Sequence, residues 1–170
     1  MADGADAFEN RIPTAFGDLR GWIDALRDAG EIAEIDQEVN WDVELGTIVR
    51  MAQGTGSGPA FLFNNITDYN DENSVCGKVF TGGQGSFSRL AMMLGLPRDT
   101  PTRDLVSVCR TIFNERIEPT NVKTGPVKEN IVTGDDIDLL KFPIPKWNSG
   151  DGGRYALTYA GCVTKDPDSD

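Results

Sequence analysis

Behind Asp18, apolar residues recur every three or four positions at Leu19, Trp22, Ile23 and Leu26, and Gly30 follows. This spacing lays one apolar stripe along a helix, with Asp18 placed to cap the first free N–H groups and Gly30 to supply a left-handed stop. From Glu31 to Ile35 charged and apolar residues alternate, which predicts a short half-buried strand. A second helical stripe passes through Trp41, Leu45, Ile48, Val49 and Ala52, with Asn40 as its cap and Asp42 and Glu44 near its positive end. The run GTGSGP, Gly54 to Pro59, breaks that stripe, and the compact AFLFNNI from Ala60 to Ile66 reads as a buried strand.

After a polar loop, Thr67 to Ser74, the stretch Val75 to Phe80 predicts another strand, leading through TGGQGS into a helix marked by Phe87, Leu90, Ala91 and Leu94. One more helix is marked by Leu105, Val108, Cys109, Ile112 and Phe113, with Thr102 as its cap and Cys109 in the core. The texture changes at Glu118. Pro119, Pro126, Pro143 and Pro145, with Gly125, Gly134, Gly150, Gly152 and Gly153, leave no room for a long helix. Tyr155 to Thr164 then has the branched and aromatic content of a strand. Helices alternating with strands predict a mixed α/β fold.

Composition narrows the function classes. A chain of 170 residues, 39% hydrophobic and 25% charged, is long enough for one packed domain and the start of another. The net charge of -11 opposes nucleic acid and anionic membranes as partners and suits a solvated surface. No apolar run approaches the roughly 20 residues that span a bilayer. Three widely spaced cysteines, Cys76, Cys109 and Cys162, signal neither a disulfide framework nor a zinc site, and with no secretory leader the expected location is cytoplasmic. There is no histidine, which excludes a Ser-His-Asp triad within the chain and the commonest proton shuttle.

Three local motifs carry chemistry, each with a plainer reading beside it. Thr81 to Ser86 could offer backbone amides to a phosphate at a helix start, yet it fits neither the lysine-bearing phosphate loop nor GxGxxG. A tight strand-to-helix connection with Ser86 as cap fits it better. Asp135, Asp136 and Asp138 could face a hard cation, but they read more simply as turn formers ahead of Ile137, Leu139 and Leu140. In Asp151-Gly152-Gly153-Arg154-Tyr155, two glycines allow close backbone approach beside a permanent positive charge; spacing alone leaves a ligand site and a structural hairpin equally open.

The string from Gly125 to Asp170 contains, in order, GPVKENI, TGDDIDL, PIPKW, DGGRY and KDPD. That order resembles UbiD-family decarboxylases, as do DLRGWIDALRDAGEIAEID, GPAFLFNNI and FSRLAMMLGLP upstream. The resemblance implies reversible, non-oxidative decarboxylation of aromatic or α,β-unsaturated acids with prenylated FMN, manganese and potassium. It implies an N-terminal α/β domain over residues 15–130, after a flexible lead at 1–14, and the connection and first strands of an incomplete split β-barrel flavin-binding domain at 131–170. Arg154, Tyr155 and Thr158 are the matching positions expected near the flavin.

By the same resemblance the metal-binding and catalytic residues follow the KDPD turn, so none is assigned in this chain, and the chain alone is expected to be inactive. Its expected partners are the remainder of the enzyme or a separate catalytic chain, in a homo- or hetero-oligomer, and a small aromatic or unsaturated acid. Asn148 departs from the histidine that many relatives carry there. Two rival readings are a non-catalytic scaffold or regulatory subunit and a phosphate-binding protein using Gly82 to Ser86.

Overall fold

The computed structural model describes residues 9, 11–12, 14–54, 58–156, 158, 161–162, 164, 166 and 168. The first stripe forms α1, Leu19–Asp28, whose N-cap Asp18 accepts hydrogen bonds from the Arg20 and Gly21 amides. The Gly21 amide is the main reason the Asp18 carboxyl is held below its ordinary pKa. Gly30, at φ +67°, turns the chain into β1, Ile32–Ile35. Arg27 ties the two elements together by reaching Asp24 and Glu34, both at 2.5 Å, and its hydrogen bond lowers the Glu34 pKa.

Next come α2, Glu44–Gln53, and β2, Ala60–Phe63. β1 and β2 pair in parallel, as the intervening helical crossover requires. β3, Val79–Thr81, adds antiparallel to the other side of β2, so β2 is central and all four of its residues are buried. Its two faces serve two cores. Phe61 and Phe63 join Val39, Leu45, Val49, Ile66 and Tyr69, while Ala60 packs with Trp22 and Leu26 of α1. A third cluster joins α3, Phe87–Met93, to α4, Thr102–Asn114, through Ala91, Leu96, Leu105 and Val108.

One charged side chain lies inside this packing. Arg89 of α3 is fully buried, its Nη1 2.9 Å from Glu31 and its Nη2 2.9 Å from the Gly58 carbonyl. Glu31 also pairs with Arg98 and accepts from Ser88. A carboxylate at the α1–β1 turn therefore fastens the third cluster to the sheet.

Among the described residues beyond Asn114, regular structure gives way to three single 3-10 turns, Pro126–Lys128, Gly134–Asp136 and Leu139–Lys141. Within this arm Ile117, Val122, Val127, Ile131, Leu139 and Leu140 are each more than 60% exposed, so its apolar residues build no core among the described residues.

Several expectations need correction. Asn40 does not cap α2: its side chain accepts from the Asp42 amide, Trp41 stays outside the helix, and α2 starts at Glu44 with no side-chain cap. Thr102 is the first residue of α4, behind Pro101, and likewise supplies no cap. Cys109 is only half-buried and Phe113 is 83% exposed, because the α4 stripe facing α3 is limited to Leu105, Val108 and Ile112. Val75 to Lys78 is irregular, and strand pairing begins only at Val79, opposite Phe63. The strand expected over Tyr155 to Thr164 is absent from its described members, 155, 156, 158, 161, 162 and 164, which find no partner strand. Leu157, Tyr159, Ala160 and Val163 lie outside the described residues.

Candidate active-site cleft

The chain returns to α2 through Pro143 to Trp147, and backbone bonds fix that return. The Lys146 amide donates to the Trp41 carbonyl at 3.0 Å, and the Lys146 carbonyl accepts from the Val43 amide at 2.9 Å. Val43 sits at φ 69° and ψ -33°, with the Glu44 amide 2.8 Å from the Asp42 carbonyl across it. That is a positive-φ γ-turn, a strained geometry for a β-branched residue, placed where the returning segment docks. Gly46, on the first turn of α2, lies directly under the Trp147 carbonyl, where a Cβ would collide with backbone.

Beyond Trp147, the Asn148 amide donates to Asp151 at 2.9 Å, and the Asn148 side-chain oxygen accepts from Arg50 of α2. Asn148 thus organises a turn here. The Arg154 guanidinium then lies 3.2 Å from the centroid of the Trp41 ring and 5.9 Å from that of Tyr69, and donates to the Tyr69 hydroxyl. Tyr69 donates that hydroxyl to the Leu140 carbonyl at 2.7 Å, and Trp41 Nε1 donates to Asp68 at 3.1 Å.

This docking leaves a cleft of about 680 Å³ between α2, β3 and the returning segment, walled by Arg50, Gln53, Thr81, Trp147, Tyr155 and Thr158. A second hollow of about 910 Å³, between α1 and Gly82 to Gly85, shares Gln53, Phe80, Thr81 and Thr158 with it. A third, of about 590 Å³, holds Asp151 and Arg154 and again includes Trp147, Tyr155 and Thr158. Thr158 borders all three, so they form one branched groove. Trp147 Nε1 is buried with no hydrogen-bond partner among the described residues, and the ring carrying it lines the cleft. An orphaned buried donor of this kind is costly unless something arrives to accept from it.

Of the three residues singled out from the sequence, Tyr155 and Thr158 stand together on the cleft wall, the Thr158 hydroxyl donating to the Tyr155 carbonyl at 3.2 Å. Arg154 lines the third hollow and is half-buried against aromatic rings. Sequence reasoning missed Trp147, Arg50 and Gln53 on the wall and Trp41 and Tyr69 behind it. A lone tyrosine in the polar stretch Thr67 to Ser74 was a usable signal. Trp41 was hidden by fitting the helical stripe.

The glycine loop borders the second hollow on one side and packs closely on the other. A Cβ on Gly83 would meet Trp22 and Phe80, and one on Gly85 would meet Arg89. Ser86 accepts from the Arg89 amide at 3.2 Å, so its hydroxyl caps α3. In the arm, Asp138 accepts from the Leu140 amide and so forms a turn.

The groove has the size and the scattered polar donors to form one wall of a flavin site. A metal fits less well: among the described residues no three histidine, cysteine, aspartate or glutamate side chains converge. Among those residues, too, no helix is long and apolar enough to cross a membrane.

Comparison with known proteins identifies the family. Residues 23–109 match the 3-octaprenyl-4-hydroxybenzoate carboxy-lyase N-terminal domain, and residues 119–170 match the Rift-related domain of the same family. Pyrrole-2-carboxylic acid decarboxylase of Pseudomonas aeruginosa is 36% identical over 155 residues, 89% of this chain and 31% of that protein. Phenolic acid decarboxylase of Bacillus subtilis is 33% identical over 155 residues, again 89% of this chain and 31% of the relative. The vanillic acid decarboxylase structure from Sedimentibacter hydroxybenzoicus superposes with a TM-score of 0.70 at 30% identity, covering 84% of this chain and 30% of that one. The UbiD-class enzyme HmfF from Pelotomaculum thermopropionicum, an evolved dimeric form in complex with prFMN, gives 0.65 at 26%, covering 80% and 29%. The chain spans less than a third of the length of these relatives. Its mixed α/β architecture is theirs, and with both domains matched in order the chain belongs to the UbiD family of carboxy-lyases.

Proposed function

We propose that this chain forms the N-terminal part of a UbiD-type decarboxylase that removes carbon dioxide reversibly and non-oxidatively from aromatic or α,β-unsaturated acids with prenylated FMN. Family membership over both matched domains carries the reading. The groove beside the DGGRY loop supports it: Tyr155 and Thr158 line that groove, as does the ring of Trp147, whose buried indole N–H has no partner among the described residues. When bound, the flavin would accommodate the electron pair left by the departing carboxyl group, chemistry that unaided side chains do poorly. This chain's share is to orient the ring system and to shield one face of it from water.

Residues 131–170 would then be the opening of the split β-barrel, completed by further polypeptide in the same assembly. Manganese and potassium would be held by that polypeptide, in keeping with a histidine-free sequence. The lack of histidine also favours a second reading, in which the chain is a scaffold or regulatory subunit for a separate decarboxylase chain.

FMN titration followed by flavin absorbance and tryptophan fluorescence tests the first step. Saturable binding that weakens about tenfold in Trp147→Phe is expected from loss of a buried hydrogen bond. Wild-type protein that binds no flavin, alone or with its completing polypeptide, would overturn the catalytic reading and leave the scaffold.

A further inference from the structure

The loop that leads into the two wall residues has almost no packing of its own. It begins at the Asn148–Asp151 turn, closed by the Asp151 amide on the Asn148 carbonyl at 3.0 Å, and ends where the Tyr155 amide donates to the Pro145 carbonyl at 3.2 Å. Between them stand Gly152 and Gly153: a Cβ on Gly153 would meet nothing within 4 Å, and one on Gly152 only the Tyr155 hydroxyl at 3.9 Å. Ordering two glycines costs more backbone entropy than ordering any other pair. Something must hold this loop down, and the glycines cannot.

Arg154 is the side chain that reaches out of it. Its guanidinium stacks on Trp41 and donates to the Tyr69 hydroxyl, and among the described residues it forms no ion pair. The receiving rings are themselves fixed, Trp41 through Asp68 and Tyr69 through the Leu140 carbonyl. A planar cation seated on a pre-positioned indole is an anchor whose face is already used. The same tyrosine hydroxyl joins the arm at Leu140 to the loop at Arg154, so both segments register on one point of the N-terminal unit.

We propose that Arg154 is a positioning residue, clamped between Trp41 and Tyr69, that sets the loop ending at Tyr155, and with it Thr158 through the hydroxyl bonded to the Tyr155 carbonyl, against the cleft and acts on a bound flavin only through that wall. The proposal rests on the reading of the groove as a flavin site, but the anchoring itself is measurable without flavin.

Amide hydrogen exchange at Tyr155, read by NMR on the 170-residue chain, is the direct test. Arg154→Gln should speed exchange about tenfold, Trp41→Leu should speed it less because the Tyr69 contact remains, and the double variant should go no further than Arg154→Gln. Arg154→Lys, which keeps a cation over the ring, should stay within about threefold of wild type. Phe61 and Phe63 amides in β2 serve as the internal control and should keep their protection in every variant that folds. Trp41→Phe, which retains an aromatic face, covers the case in which Trp41→Leu fails to fold, and should resemble Arg154→Lys. FMN affinity should fall in step with Tyr155 protection. Unchanged Tyr155 exchange in Arg154→Gln overturns the proposal, and a loss of FMN binding in that setting would make Arg154 a direct ligand. If wild-type chain binds no FMN, the flavin reading fails while the exchange data still decide the anchor.

Discussion

The chain up to Asn114 and the chain after it are held by different physics. In the first part, three apolar clusters close around a central strand whose four residues are all buried, with a buried Arg89–Glu31 pair between them. In the second, Ile117, Val122, Val127, Ile131, Leu139 and Leu140 point outward, Trp147 packs on the main core beside the buried Pro143 and Pro145, and local clasps add to that hold: Lys146 on Trp41 and Val43, Tyr69 on Leu140, and Arg154 on Trp41. A segment with that many exposed apolar residues has not finished burying its surface. The first part is held by hydrophobic burial; the second is laid against it with much of its apolar surface exposed.

Mutations can break this contrast. Phe63→Ala, in the middle of the main core, should cost about 3–5 kcal/mol in urea denaturation, the largest single effect expected. A loss below about 1 kcal/mol would mean the sheet is not where stability resides. Glu31→Gln, leaving Arg89 buried without its counter-charge, should cost about 3 kcal/mol by the same measurement.

Smaller effects sharpen the picture of the second part. Val43→Gly removes a half-buried side chain but also relieves a positive-φ valine, so thermal unfolding should show it neutral or stabilised by about 1 kcal/mol, against the usual penalty for glycine. Leu139→Ala, at a residue 65% exposed, should shift stability of the isolated chain by less than about 0.5 kcal/mol. A marked loss there would show that the arm already has a buried face.

Legibility followed the same division. The α1 stripe, its Asp18 cap, the Gly30 stop and the run at Ala60 were readable because each is local: period, cap and turn chemistry act within a few residues. The start of α2 was misjudged because Asn40 serves Asp42 rather than the helix, a choice fixed by Lys146 docking from about a hundred residues away. Tyr155 fell within the glycine-rich motif that spacing left open, and Thr158 was reachable only through family resemblance. Arg154, Trp41 and Tyr69 form a contact between segments 85 and more positions apart, and no spacing rule encodes that. Strand propensity at Tyr155 misled because a strand also needs a neighbour to pair with.

Carbon dioxide release is the most direct measurement of whether this chain is one part of a larger decarboxylase. The 170-residue chain, of verified mass and supplied with prenylated FMN, should release none from an aryl or acrylic acid, and release should appear when the polypeptide completing the family's length is added. Turnover by the lone chain would contradict that division of labour, and silence from the completed assembly on every such acid would contradict the decarboxylase reading itself.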